Sequence, residues 1–296
     1  MENIPYDKRS GKIWFNGEAI NWPDAKIHVL NHGLHYASCV FEGERVYEGE
    51  IFKLSEHTER LFYSAKRMGI EVPFTQNEIN NACKEIVNIQ KVQNGYVRPV
   101  IWRGSEMMAI SAQKNKTHVA IATWEWGSYF DPKLKLKGIK LNISSWRRPS
   151  PDSIPWDTKA AGLYMICTLS KHEAEKQGYT DSLMLDHEGN IAEATGANVF
   201  FKNSQNELHT PIPDSFLDGI TRRCVIDIAK TKGIKVVERK ISPNEMKDFI
   251  GCFLTGTAAE ITPVSEIDKF KFEVCNTITD LNKSYQDLVR KKKSAA

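Results

Sequence analysis

The chain has 296 residues, 41% hydrophobic and 26% charged, with a formal net charge of +3. That length suits two domains of ordinary size, and so small a charge does not point to a nucleic-acid partner. No apolar run approaches the roughly 20 residues that span a bilayer, so no membrane partner is expected. Met1-Glu2-Asn3-Ile4-Pro5 has neither a basic region nor an apolar core, and no signal peptide is expected. None of the six cysteines forms a C-x-x-C pair and most sit in apolar stretches, which suggests buried thiols in a reducing compartment, the cytoplasm. The basic run Arg290-Lys291-Lys292-Lys293 reads as a solvated helix end.

Taken in chain order, Trp14 to Ile20 reads as a hairpin with Asn16-Gly17 at a type I′ turn. A strand is expected from His35 to Tyr47. Ser55 is a candidate N-cap for a helix bearing Leu61, Ala65 and Met68 on one face, which Gly69 can stop. Thr75 and Glu78 form a capping-box pattern for a second helix, with Ile79, Ala82 and Ile86 inward. Strands follow over Tyr96 to Arg103 and His118 to Trp126. The stretch Gly127 to Pro132 breaks the pattern. We expect a small N-terminal domain over 1–127, an interdomain loop over 128–137 and a larger domain over 138–296. In the latter, Ile139 to Ser145 reads as a strand and Ala160 to Lys176 as a helix. Ser182 to Asp186 and Ile191 to Phe201 read as a hairpin. Gly219 to Lys232 reads as a helix and Lys235 to Ile241 as a strand. Ser242-Pro243-Asn244-Glu245 is another capping box with Pro at the first helical position. A short strand at Phe253 to Thr255 precedes a terminal helix with Ile278, Leu281, Tyr285 and Leu288 on one face. The mixture is α+β in both domains.

No metal constellation, P-loop, G-x-S-x-G or strand-linked G-x-G-x-x-G is present. Four segments make chemical sense together. In Asp157-Thr158-Lys159-Ala160-Ala161-Gly162-Leu163-Tyr164, Lys159 is followed by small residues that let a flat ring approach. Its amine can form a Schiff base with an aldehyde cofactor, more readily if burial lowers its pKa. With 40 Lys and Arg in the chain, that segment alone reads more simply as a surface lysine beside a core tyrosine. Glu193 lies in a strand of small and apolar residues, where an inward carboxylate needs a partner. A ring nitrogen would serve, and an outward Glu is an equally good reading. Asp218-Gly219-Ile220-Thr221-Arg222 opens a helix, leaving the amides of Ile220 and Thr221 free for a phosphate. Thr255-Gly256-Thr257-Ala258-Ala259-Glu260 is a second small-residue turn of that kind. On Tyr96-Val97-Arg98-Pro99, Tyr96 and Arg98 share a face. Arg98 can grip a carboxylate bidentately or face solvent on an edge strand. Arg60, beside Leu61, can reach a phosphate or lie on the surface.

These blocks resemble class IV aminotransferases, the fold type IV group of pyridoxal-phosphate enzymes, and most closely the branched-chain amino acid aminotransferases. The blocks are His35-Tyr36, Phe41-Glu42-Gly43, Tyr96-Val97-Arg98-Pro99, Trp126-Gly127-Ser128-Tyr129, Lys159 to Tyr164, Glu193-Ala194-Thr195-Gly196, Gly219 to Arg222 and Thr257 to Glu260. The resemblance implies a two-domain architecture like that of D-amino-acid aminotransferase, with pyridoxal 5'-phosphate between the domains. It implies Lys159 as the cofactor lysine and proton shuttle, Tyr164 at the phenolate oxygen and Glu193 at the ring nitrogen. Arg60, Ile220, Thr221, Gly256 and Thr257 would bind the phosphate side. Thr257, Ala258 and Tyr96 would meet the substrate carboxylate. Phe41, Trp126 and Tyr129 would form an apolar pocket, with Arg98 for the distal carboxylate of glutamate. Tyr36 would come from the neighbouring subunit of a homodimer or homohexamer. Amino acids and 2-oxo acids are the implied partners. D-amino-acid aminotransferase and aminodeoxychorismate lyase are the alternatives on the same fold. Two positions depart from the familiar pattern on the substrate side: Glu44, where an apolar residue is usual, and the turn Arg103 to Met108.

Overall fold

Asn16 and Gly17 both hold positive φ, 50° and 106°, as a type I′ turn requires. The first hairpin therefore forms, with β1 (Lys12–Phe15) antiparallel to β2 (Glu18–Asn21). This computed structural model describes residues 4–127, 130 and 137–290. The chain clusters into two units. The first runs up to Gly127 and also takes Thr158–Gly162; the second takes the segment ending at Asp157 and the chain from Leu163 on. Lys159, expected with the C-terminal domain, thus groups with the first unit.

The first unit continues with α1 (His32–Tyr36), β3 (Cys39–Phe41), β4 (Glu44–Tyr47), β5 (Glu50–Ile51), α2 (Leu54–Arg67), α3 (Gln76–Gln90), β6 (Asn94–Arg103) and β7 (Thr117–Glu125). Its sheet runs β2-β1-β7-β6-β4-β5, with β3 also on β6. The α3 capping box forms as expected: Thr75 Oγ1 accepts the Glu78 N–H at 3.2 Å, and the Glu78 carboxylate accepts the Thr75 N–H at 2.7 Å. The helices α2 and α3 pack on each other and on the sheet. Leu61, Ala65, Ile79 and Ile86 are buried there, as are Val97, Ile101, Val119 and Ile121 on the strands. Each such Leu, Ile or Val contributes about 1.5–3 kcal/mol.

Three local expectations fail in this unit. His35 and Tyr36 are helical rather than extended. The His32 ring stacks on Tyr36 at 4.6 Å, one turn along, and Ala37 ends the turn at a φ of 52°. The helix α2 starts at Leu54, because Lys53 already turns the chain with a φ of 57°. Nor is β6 an edge strand: β7 lies along one side, and β4 and β3 along the other. Pro99 fits at the break between β3 and β4, where its carbonyl accepts the Glu42 N–H at 2.9 Å.

The second unit contains β8 (Ile139–Arg147), α4 (Met165–Lys176), β9 (Asp181–Leu185), β10 (Ile191–Ala194), β11 (Asn198–Lys202), β12 (Leu208–Thr210), α5 (Ile220–Thr231), β13 (Val236–Glu238), β14 (Gly251–Gly256), β15 (Glu260–Ile267), β16 (Phe270–Lys271) and α6 (Asn276–Val289). The sheet order is β10-β9-β8-β15-β14-β11-β12-β13, with β16 on β15. Because β10 also pairs with β11, at Glu193 opposite Asn198, the first six strands in that order close on themselves. Leu141, Leu183, Val199, Leu254 and Val264 fill one core cluster.

Local expectations fail here too. The helix expected from Ala160 begins only at Met165, after a 3-10 turn over Ala161–Tyr164, because Ala160 is held extended in a bridge to Val40. The strand expected over Ile191 to Phe201 folds back on itself: the Ala194 N–H donates to the Ala197 carbonyl at 2.8 Å, making β10 and β11. Strand β15 was not anticipated; Pro263 lies within it, opposite Phe253. The Ser242 capping box forms but caps a 3-10 helix, Pro243–Asp248. In α6, Val289 is buried in place of the expected Leu288.

Candidate active site

In the first unit Lys159 is gripped through its backbone. Its N–H donates to Ser64 Oγ at 3.0 Å, and its carbonyl accepts the Phe41 N–H at 3.2 Å. So held, its side chain runs beside Phe41, with Nζ 4.9 Å from the ring centroid. The Arg98 guanidinium lies 4.7 Å from the same ring and 5.4 Å from that of Tyr96. Burial pushes the Lys159 pKa below the usual lysine value; Glu42 opposes that shift, and Arg60 and Arg98 add to it. The chain thereby keeps a lysine amine readier to be neutral. Arg98 Nε is buried and makes no hydrogen bond among the described residues.

Tyr96 packs edge-on against Trp126, with ring centroids 4.8 Å apart. Arg45 donates to the carbonyls of Trp126 and Gly127 at 3.1 and 2.9 Å, anchoring the end of that wall. Gly43 makes room for it: a β-carbon there would lie 1.7 Å from the Tyr96 hydroxyl oxygen. In the same Phe41-Glu42-Gly43 block, Glu42 accepts from Arg60 Nε at 2.6 Å and Nη2 at 3.0 Å, and lies 2.7 Å from His57 Nδ1. Burial disfavours the Glu42 charge, but Arg60 and His57 outweigh it and hold the carboxyl well below the usual range. One edge of Arg60 is thus committed to Glu42. Sequence reasoning missed this anchor; the signal was a carboxylate directly after the apolar Val40-Phe41. Tyr36 is 42% exposed on α1. Tyr129 lies outside the described residues.

In the second unit Glu193 is held from two sides. Its Oε1 lies 3.4 Å from Arg148 Nε, and its Oε2 accepts from Asn198 Nδ2 at 3.3 Å. Arg148, which sequence reasoning missed, also donates to the Leu163 carbonyl at 3.5 Å, on the turn that carries Tyr164. At the start of α5 no side chain caps the first turn, so the amides of Ile220 and Thr221 have no partner within the helix. That end is anchored by buried Arg222, which bonds Asp218 at 3.0 Å, the Pro211 carbonyl at 3.1 Å and Glu238 at 2.7 Å. Thr257 and Ala258 form the turn between β14 and β15. Gly256 lets this turn approach the preceding one: a β-carbon there would sit 3.2 Å from the Gly196 carbonyl oxygen. Thr255 Oγ1 is buried without a hydrogen-bond partner among the described residues.

A carboxylate, an uncapped helix start, an orphaned hydroxyl and close-approach glycines suit a flat phosphorylated cofactor. Among the described residues no group of three or more His, Cys, Asp or Glu is placed to hold a metal ion. The family model for amino-transferase class IV matches residues 39–267. The chain belongs to the class IV aminotransferases. It is 42% identical to a probable branched-chain-amino-acid aminotransferase of Rickettsia felis, over 98% of this chain and all of that one. The T.th. branched-chain amino acid aminotransferase with pyridoxamine 5'-phosphate superposes with a TM-score of 0.92 at 36% identity, covering 96% of each chain. The same enzyme complexed with N-(5'-phosphopyridoxyl)-L-glutamate gives 0.91 at 35% identity, again over 96% of each chain. The α+β class and the fold type IV architecture expected from sequence are those of this family. No helix among the described residues is long and apolar enough to cross a membrane.

Proposed function

We propose that this enzyme transfers the amino group of L-leucine, L-isoleucine or L-valine to 2-oxoglutarate, giving branched 2-oxo acids and L-glutamate, with pyridoxal 5'-phosphate as cofactor. When bound, the cofactor supplies an electron sink for the pair left at the substrate α-carbon. Lys159 holds the cofactor, and its amine, made easier to deprotonate by burial and nearby arginines, moves the proton at the α-carbon. The Tyr164 hydroxyl donates to the phenolate oxygen. Glu193 keeps the ring nitrogen protonated. The amides of Ile220 and Thr221, with Thr257 and Arg60, meet the phosphate, and Gly256 lets the backbone come close. The turn Thr257-Ala258 and Tyr96 orient the substrate carboxylate, while Phe41, Trp126 and Tyr129 wall its side chain.

The observation that carries the dual substrate range is Arg98. Its guanidinium lies among aromatic rings, beside the same Phe41 ring as the Lys159 amine, with Nε unpaired among the described residues. An apolar wall takes leucine, and the arginine takes the distal carboxylate of glutamate. Arg98→Ala is therefore expected to lower kcat/KM for glutamate about 10- to 100-fold, the cost of a lost charge-assisted pair. The loss for leucine should be several times smaller. Equal losses would show that Arg98 has another role. A panel of L- and D-amino acids with 2-oxoglutarate tests the activity itself. Turnover of D-alanine without L-leucine would instead favour a D-amino-acid aminotransferase.

We further place Tyr36 at the site of a second copy in a homodimer or homohexamer. The exposed apolar residues near it in sequence, Val29 and Leu34, at 67% and 63% exposure, support a covered face there. A cytoplasmic location accords with six cysteines that form no disulfide among the described residues.

A further inference from the structure

The closed sheet of the second unit is sealed at one pair, Glu193 on β10 opposite Asn198 on β11. Asn198 is buried, and both ends of its amide are used. Its Oδ1 accepts the Gly219 N–H at 3.1 Å. Its Nδ2 donates to the Leu217 carbonyl at 2.9 Å and to Glu193 Oε2 at 3.3 Å. The chain is shaped around these bonds. A β-carbon at Gly219 would lie 2.2 Å from Asn198 Oδ1, although the Gly219 φ of −68° suits any residue. Gly219 is a glycine here to admit the Asn198 amide, not to permit an unusual backbone turn.

We infer that Asn198 is a positioning residue: its one amide fixes the spacing between the Glu193 carboxylate and the first turn of α5. A rigid cofactor presents its ring nitrogen and its phosphate at a set distance. It gains both contacts only if the two protein groups keep that distance without reorganising. This inference rests on the reading of Glu193 and α5 given above. The other oxygen of Glu193 faces Arg148 Nε at 3.4 Å, so the carboxylate has a second support, and loss of Asn198 frees it on one side only.

The test compares two ligands of the apoprotein, pyridoxal 5'-phosphate and inorganic phosphate, the latter read as competition with reconstitution. Asn198→Ala is expected to raise the pyridoxal 5'-phosphate Kd about 10- to 100-fold, while phosphate affinity changes less than about threefold. Equal factors for the two ligands, or no change in either, would overturn the inference; the former would make Asn198 a prop for the helix alone. If Asn198→Ala does not fold, the comparison in Asn198→Ser decides, since serine keeps a small polar group too short to reach both partners. Glu193→Gln serves as the control for the underlying reading. If it leaves cofactor affinity and the pH dependence of the bound cofactor's visible absorption unchanged, the role of Glu193 fails, whatever Asn198 shows.

Discussion

Lys159→Ala should fold and yet lose transamination, with kcat down at least about 10⁴-fold, the scale of losing a nucleophile that is also the acid–base group. The fold should persist because the grip on residue 159 is through the backbone: Ser64 Oγ and the Phe41 N–H need no side chain there. Removing an amine whose charged form is disfavoured by burial costs little stability in itself. The variant should also lose borohydride-reducible visible absorbance when mixed with pyridoxal 5'-phosphate. Purified protein, a leucine and 2-oxoglutarate assay and a thermal melt are enough to check this. Turnover at the native rate would remove Lys159 from the chemistry.

The second large effect concerns two carboxylates two residues apart. Glu42 and Glu44 are both fully buried, but their surroundings differ. Glu42 is met by Arg60 and His57. Neither oxygen of Glu44 has a hydrogen-bond partner among the described residues. Burial, then the neighbouring Glu42 charge, pushes the Glu44 carboxyl well above its usual 4.5. Glu42→Ala is expected to cost about 3–5 kcal/mol of stability, because it removes the buried carboxylate that pairs with both Arg60 and His57. Glu44→Leu is expected to gain about 1–3 kcal/mol, because it removes an unsatisfied buried polar group of similar size. The pH dependence has opposite signs. The folded Glu42 carboxyl is depressed, so its stabilisation is present above pH 4.5 and fades as pH falls below it. The folded Glu44 carboxyl is raised, so its burden is absent below pH 4.5 and grows as pH rises towards the folded value. Urea unfolding at pH 5 and pH 8 should therefore show the Glu44→Leu gain larger at pH 8. A loss of stability in that variant would mean that Glu44 has a partner worth keeping.

Much of the fold was legible because local chemistry and tertiary structure agree. The Asn16-Gly17 turn, the Thr75 capping box and the 219–232 helix are signals within a few residues of each other, and they persist in the fold. The failures arose where distant partners decide. Ala160 is extended because Val40 pairs with it, and β15 forms in spite of Pro263 because β14 and β8 pair along it. Of the candidate site, the residue types and the turns were readable. Their supports were not: Glu42 under Arg60, Arg148 against Glu193 and Asn198 at the seam all act through contacts that local sequence patterns do not reveal. Glycines show the same limit. Gly219 and Gly43 look like turn residues, yet each is there to admit a neighbouring side chain, Asn198 or Tyr96.

On the proposed function, Lys159 holds the cofactor. Borohydride reduction of the enzyme loaded with pyridoxal 5'-phosphate, followed by digestion and mass mapping, tests it most directly. The phosphopyridoxyl group should be found on the peptide containing Lys159 and at that residue. Its appearance on a different lysine, or a protein that takes no label, would show that Lys159 is not the cofactor lysine.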